Sequence, residues 1–229
     1  MPTNPLFSGL QRTILIMVSS AVVPASAATL ALYDFNGNNL TSSDTELNTT
    51  AGNISSGTGI TGGTDLSTNQ GEGGTRGIQI RYDDIYPQNT GSRTLANAIT
   101  DQVYYSFTIT PLAGQVINFE TFTAYTDKNG GGATFEYHIM SAVGGFTDTD
   151  TIDSSSHTSG VANLSYDISS LTGVSTATEF RLYIRTDNYT NGSNLLDIDN
   201  ITITGTVIPE PSGLMLCTLG GLVLLCRRR

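Results

Sequence analysis

The sequence predicts an all-β chain folded as a two-sheet, jelly-roll-like β-sandwich, with an N-terminal signal peptide and a C-terminal single transmembrane helix at its two apolar ends. Three observations carry this. Short segments of alternating apolar residues recur between residues 29 and 205, each closed by Gly, Asn, Asp or Pro. No helix-period segment of normal length lies between the two ends. About 180 residues remain once the ends are set aside, enough for one well-cored domain. The predicted organisation is a signal peptide over 1–27, a β-sandwich over 28–206 and a C-terminal signal over 207–229.

Residues 29–35 are apolar on both faces, Leu30 and Leu32 against Ala31, Tyr33 and Phe35, so the first strand lies deep in the fold. Asn36-Gly37-Asn38 ends it with turn chemistry. Residues 38–77 are rich in Gly, Ser, Thr and Asn with isolated Ile54, Ile60 and Leu66, which reads as short strands and surface loops, most mobile at Gly71-Glu72-Gly73-Gly74. No Lys-Ser/Thr pair follows these glycines, so they are not a phosphate cradle. Ile78, Ile80 and Tyr82 alternate strictly, and so do Val103, Tyr105, Phe107 and Ile109 against Tyr104, Ser106 and Thr108.

Over residues 116–126 the apolar phase changes: Ile117 and Phe119 lead on one parity, Phe122 and Ala124 on the other. A bulge or a bend between sheets produces such a change. The turn 127–132 reads as a hairpin onto the strand carrying Phe135, Tyr137 and Ile139. Asp148, Asp150 and Asp153 follow in a solvated acidic loop without the glycine and glutamate of a calcium loop. A short strand at 164–168 precedes one in which Phe180, Leu182 and Ile184 alternate with Glu179, Arg181, Tyr183 and Arg185. The two arginines on that outer face read as partners of neighbouring acids, with a ligand surface as the competing reading. In the last strand, 195–205, Ile198 is out of phase with Ile201 and Ile203, and a bulge near Asp199 and Asn200 would bring all three into the core.

The two ends agree on destination. Arg12 is the only charged side chain in the first thirty residues, 14–23 is apolar, and Ala25 and Ala27 stand at cleavage-site spacing. The C-terminus joins Pro209-Glu210-Pro211, an uncharged apolar run from about residue 213 to 226, and Arg227, Arg228 and Arg229. Prolines on both sides hold Glu210 in extended backbone. Arginine at a bilayer centre costs about 2.5–3.5 kcal/mol on insertion scales, so three in a row stop on the cytoplasmic side.

That three-part tail resembles the PEP-CTERM sorting signal of exported bacterial proteins. The resemblance implies recognition by an exosortase at the inner membrane, processing at the Pro-Glu-Pro motif, and a cell-surface or extracellular-matrix destination in a bacterium that makes exopolysaccharide and biofilm. The ending 195–205, with the strands 105–111 and 180–183, is also similar to the extracellular jelly-roll domains common in such proteins.

Nineteen of the twenty acidic residues but only six of the ten cations lie in the sandwich region, a balance that disfavours nucleic acid as a partner. Both cysteines, Cys217 and Cys226, fall in the apolar tail, so the exported domain holds no disulfide. The function expected is a non-catalytic structural or adhesive matrix protein. The alternative is a carbohydrate-binding, lectin-like module, although the chain lacks Trp; a polysaccharide hydrolase or lyase ranks below both. His138 lies in a strand and His157 in a Ser-rich loop with no Gly-X-Ser-X-Gly, so no serine triad is legible. A structural calcium is the one cofactor considered, with Asp199, Asp197 and Asp34 as ligands tying the last strand to the first turn.

Overall fold

The computed structural model describes residues 26–62, 64–69, 71–81, 85, 94–129, 134–186 and 195–210. Two six-stranded sheets form the sandwich. The first contains β1 (Ala28–Tyr33), β4 (Leu66–Thr68), β5 (Arg76–Arg81), β7 (Gln115–Asn129), β10 (Gly160–Asp167) and β12 (Leu195–Pro209). Its order is β10-β7-β12-β5-β4, with β1 also against β12. The second contains β2 (Thr49–Ala51), β3 (Ser55–Ser56), β6 (Tyr104–Pro111), β8 (Phe135–Ser141), β9 (Asp153–His157) and β11 (Thr178–Thr186). Its order is β2-β6-β11-β8-β9, with β3 against β6. Every pairing is antiparallel.

Alternation supplies the core, because every second residue of each strand faces the opposite sheet. Phe107 stacks on Phe180 at 5.7 Å and on Phe122 at 6.3 Å, Phe122 stacks on Tyr166 at 5.7 Å, and Phe119 meets Phe180 edge-on at 5.0 Å. Such pairs add about 0.5–1.5 kcal/mol each beyond the area they bury. The Tyr33 hydroxyl, buried in the same core, donates to the Gly52 carbonyl at 2.6 Å.

Both phase changes resolve as bulges. In β7 the register against β12 shifts between Phe119 and Thr121, leaving Glu120 as the extra residue, and Ile117, Phe119, Phe122 and Ala124 are all buried. In β12 the register shifts between Asp199 and Thr202, and Ile198, Ile201 and Ile203 are buried together.

Other expectations are corrected. The turn after β7 does not close a hairpin: β7 pairs with β10 and β12, β8 with β9 and β11, so the chain crosses between sheets there. Both edges of β7 are already occupied, which leaves no place for β8 beside it. The Ser-rich stretch before residue 160 forms β9, and a six-residue helix, α1 (Leu95–Thr100), precedes β6. Thr94 caps α1 in a reciprocal pair with Asn97. The glycine stretch read as most mobile is a single 3₁₀ turn, Glu72–Gly74, tied to β12 by a hydrogen bond.

Strand β12 runs on to Pro209, so Val207, Ile208 and Pro209 are paired in the sheet. Ala27 is exposed immediately before β1. Among the described residues no helix is long and apolar enough to cross a membrane. The expected span, Pro211, Arg227, Arg228 and Arg229, and the leader with Ala25 lie outside the described residues.

At Gly205, β12 passes between Ala28 of β1 and Phe119 of β7. A Cβ there would sit 2.5 Å from the Asn118 carbonyl oxygen and 2.8 Å from Leu30 Cδ1. Gly205→Ala is therefore expected to cost about 1–3 kcal/mol as overpacking, a drop in Tm on the order of 3–10 °C for a domain of this size. Thermal unfolding followed by circular dichroism measures it, and an unchanged midpoint contradicts this account of the crossing.

Candidate functional site

The outer face of the first sheet carries a polar row that crosses three strands and reaches the residue before β4. Asp197 of β12 pairs with Gln79 of β5 on one side and Asp127 of β7 on the other, and the Gln79 N–H donates to the Asp65 carbonyl beside β4. Gln79 and Asp197 share this face because Ile78, Ile80, Leu196 and Ile198 take the opposite one, and Asp127 joins them because Thr126 and Lys128 are buried. Asp65, Ser67, Gln79 and Arg81, with Leu66, line a cleft of about 300 Å³.

Asp197 lies at the floor of the row and is 1% exposed. Gln79 Nε2 donates to its Oδ1 and Asn129 Nδ2 to its Oδ2, each at 3.1 Å. Burial dominates these bonds and, with Asp127 nearby, its pKa is pushed up to about 6. In the next row, Asp199 is fully buried and pairs with Tyr125. Burial raises the Asp199 pKa too, against hydrogen bonds that lower it. Tyr125 is raised by burial first and then by Asp127, Glu72, Asp197 and Asp199.

Asp199 acts as a hub. Its Oδ2 accepts from the Glu72 N–H at 3.0 Å and from Thr75 Oγ1 at 2.9 Å, and its Oδ1 from the Asn200 N–H at 2.7 Å. Asn200 takes φ 48°, a left-handed conformation that Asn tolerates better than most residues, and its Nδ2 donates to Glu72 Oε2 at 2.8 Å. Gly71 is packed so closely beneath that a Cβ would lie 2.3 Å from Asp199 Oδ2.

These surroundings do not fit a calcium ion. The groups aimed at Asp197 and Asp199 present protons, whereas calcium takes six to eight oxygen lone pairs. Asp34 accepts from the Asn36 N–H at 3.2 Å and the Ser43 hydroxyl at 3.2 Å. It is near enough to help raise the Asp199 pKa. Yet Asp34, Asp197 and Asp199 do not come together as a ligand group, and no trio of His, Cys, Asp or Glu among the described residues does.

The outer face of the second sheet is occupied by its own side chains. Arg181 lies 4.4 Å from the Tyr104 ring centre and 3.8 Å from that of Phe146, and donates to Glu179 at 2.7 Å and to the Tyr183 hydroxyl at 3.2 Å. Burial works to lower its pKa, but Glu179 and Tyr183 together hold it above the ordinary value. Arg185 pairs with Glu136 across β11 and β8. The expected acid pairing is thus present, although Glu179 is two residues from Arg181 on the same strand.

His138, beside Glu136 at 3.7 Å, makes no hydrogen bond through either ring nitrogen, and burial with Arg185 nearby lowers its pKa. His157 binds the Tyr137 hydroxyl at 3.1 Å and the Gly160 carbonyl at 2.9 Å, stapling the β9–β10 turn to β8. Sequence reasoning missed Gln79, Asn129, Glu72 and Thr75 as partners of the two aspartates. The strict alternation around Ile78 and Ile80 was the available signal for Gln79; nothing marked the others.

No protein-family model matches the chain, and no curated protein does. Among solved structures, the CBM22-1 and GH10 modules of Clostridium thermocellum endo-1,4-β-D-xylanase 10B, complexed with xylohexaose, align at 17% identity and a TM-score of 0.41 over 78% of this chain and 28% of that one. The CBM22-1 xylan-binding domain of Paenibacillus barcinonensis Xyn10C aligns at 15% identity and 0.39, over 80% and 98%. Caldicellulosiruptor saccharolyticus CBM27-1, in complex with mannohexaose, aligns at 11% and 0.39, over 78% and 96%. The chain thus spans about a quarter of the first of these structures. Likenesses of this degree assign neither ligand nor activity.

The raised pKa of Asp197 has a measurable consequence. An unfolded Asp titrates near 3.9, so between about pH 4 and pH 6 the folded chain holds a proton that the unfolded chain has lost. Stability contributed by this group is present at the acid end of that window, falls as pH rises through it and is flat above. The fall amounts to on the order of 2–3 kcal/mol. In Asp197→Asn, urea unfolding at pH 4.5 and pH 7 is expected to lose this component relative to wild type; an unaltered pH dependence contradicts it.

Proposed function

We propose that the chain is an exported, non-catalytic β-sandwich protein that engages neutral polysaccharide through the outer face of its first sheet. Before processing, its C-terminal apolar run holds it in the inner membrane, and an exosortase acts at Pro209-Glu210-Pro211. The tail part of this reading is supported by the order of motif, apolar run and Arg227, Arg228 and Arg229.

The observation that carries the binding part is the polar cleft. Asp65, Ser67, Gln79 and Arg81 offer carboxylate, hydroxyl, amide and guanidinium groups in an open groove of about 300 Å³. That set both accepts from and donates to sugar hydroxyls. Asp65 in the cleft and Asp127 beyond it set two carboxylates against Arg81, a balance that favours neutral glycans over uronates. The second sheet supports this choice of face by contrast, because Tyr104 and Phe146 are already committed to Arg181. Extracellular matrix at the cell surface is the setting that suits both parts.

The exported chain is expected to be retained in affinity gels containing neutral β-glycans such as xylan, mannan or galactan, and not by alginate or pectate. Gln79→Ala and Arg81→Ala are each expected to weaken retention several-fold, by about 1 kcal/mol per lost hydrogen bond, while Arg181→Ala leaves it unchanged. Retention by none of the neutral polymers, or equal retention of all variants, contradicts the assignment. The tail reading has a separate check: Glu210→Ala is expected to export normally but keep its tail in a host with an exosortase, and normal tail removal contradicts it.

A further inference from the structure

Strand β12 carries the chain to one end of the sandwich and holds it there. Its last pairs are Thr206 with Asn118, Val207 with Ile117, Ile208 with Val116 and Pro209 with Gln115. Beyond them the Glu210 N–H donates to the Gly114 carbonyl at 2.8 Å. The chain is therefore fixed to the sheet through Glu210. The uncharged run begins at about residue 213, so only Pro211 and Ser212 intervene, and so short a stretch reaches on the order of 10 Å at full extension.

The same end collects exposed apolar side chains. Leu112, in the turn from β6 to β7, is 45% exposed. Its N–H donates to the Asn48 carbonyl, which brings the turn beside Leu47, 84% exposed. Val143, 59% exposed, follows β8 where Ser141 pairs with Phe180 and the Ala142 N–H donates to the Glu179 carbonyl. That is the end of β11 at which Thr178 meets Ile109 of β6, two residues before Pro111. Val161 stands at the opposite end, next to Gly160 paired with Lys128. Three of the four large apolar residues most exposed among those described thus lie at the end of the sandwich where the chain leaves the sheet.

We propose that this end of the sandwich lies against the surface of a lipid bilayer while the tail is in place, with Leu47, Leu112 and Val143 at the boundary between headgroups and acyl chains. The inference rests on the tail reading given above. Leucine and valine at such a boundary gain by burying apolar area. Glu210, exposed, and Glu46, half-buried, at the same end suit zwitterionic better than anionic lipid. The arrangement also places the cleft outward: Asp197 is twelve residues upstream of Pro209 on the same strand, about 40 Å at strand rise.

The test uses the full chain with Cys217→Ser and Cys226→Ser, reconstituted into phosphatidylcholine vesicles. A single polarity-sensitive fluorophore is attached through Leu47→Cys, Leu112→Cys, Val143→Cys or Val161→Cys. Labels at 47, 112 and 143 are expected to shift to the blue and to be quenched several-fold more by a lipid-borne spin label than the label at 161. A chain that floats with the vesicles but shows equal quenching at all four positions overturns this inference alone. A chain that does not float overturns the tail reading, and this inference with it.

Discussion

Strand β12 changes its neighbour in mid-course, and the hydrogen bonds to Asp199 hold the point of change. Residues 195–198 pair with β5, residues 201–205 pair with β1, and β7 lies along the other edge throughout. An unbulged strand would turn Ile201 and Ile203 out of the core once Ile198 was in it. The extra residue restores the phase, and Asp199 accepts from the Asn200 N–H at the bulge and from the Glu72 N–H and Thr75 hydroxyl of the turn before β5. A carboxylate is the side chain that can accept from several donors at once. The cost is a buried charge, visible as the raised pKa of Asp199.

That constraint orders the rest of the first sheet. Asp197, just before the bulge, lies on the outer face between Gln79 and Asp127, and the hydrogen bond to Asp199 draws the glycine turn before β5 against β12. The bulge and the polar row thus adjoin on one strand. Past Gly205, where β1 ends, β12 continues beside β7 alone to Glu210, which sets where the chain leaves the domain.

Much of this was legible in the sequence because alternation is a strict rule. The three-residue gap between Ile198 and Ile201 announced the β12 bulge, and the switch from Phe119 to Phe122 announced that of β7. Alternation says nothing about which strands pair, and the turn after β7 was accordingly misread as a hairpin. Nor does it reveal short polar strands: β9 is Asp-Ser-Ser-Ser-His, with no apolar residue to show a phase. The contacts that define the face were hidden for a third reason. Gln79, Asn129 and Thr75 lie 118, 68 and 124 residues from the aspartates they bind, and Phe146 reaches Arg181 from a loop with no periodic signal.

Hydrogen exchange of the amides of Glu72 and Asn200, measured by NMR on the exported chain, tests the Asp199 hub most directly. If that carboxylate holds the bulge, both protons exchange as slowly as those of the β7–β12 ladder, and both become fast in Asp199→Ala while Ile198 remains protected. Exchange of the wild-type Glu72 and Asn200 amides at the rate of an open loop would contradict the account.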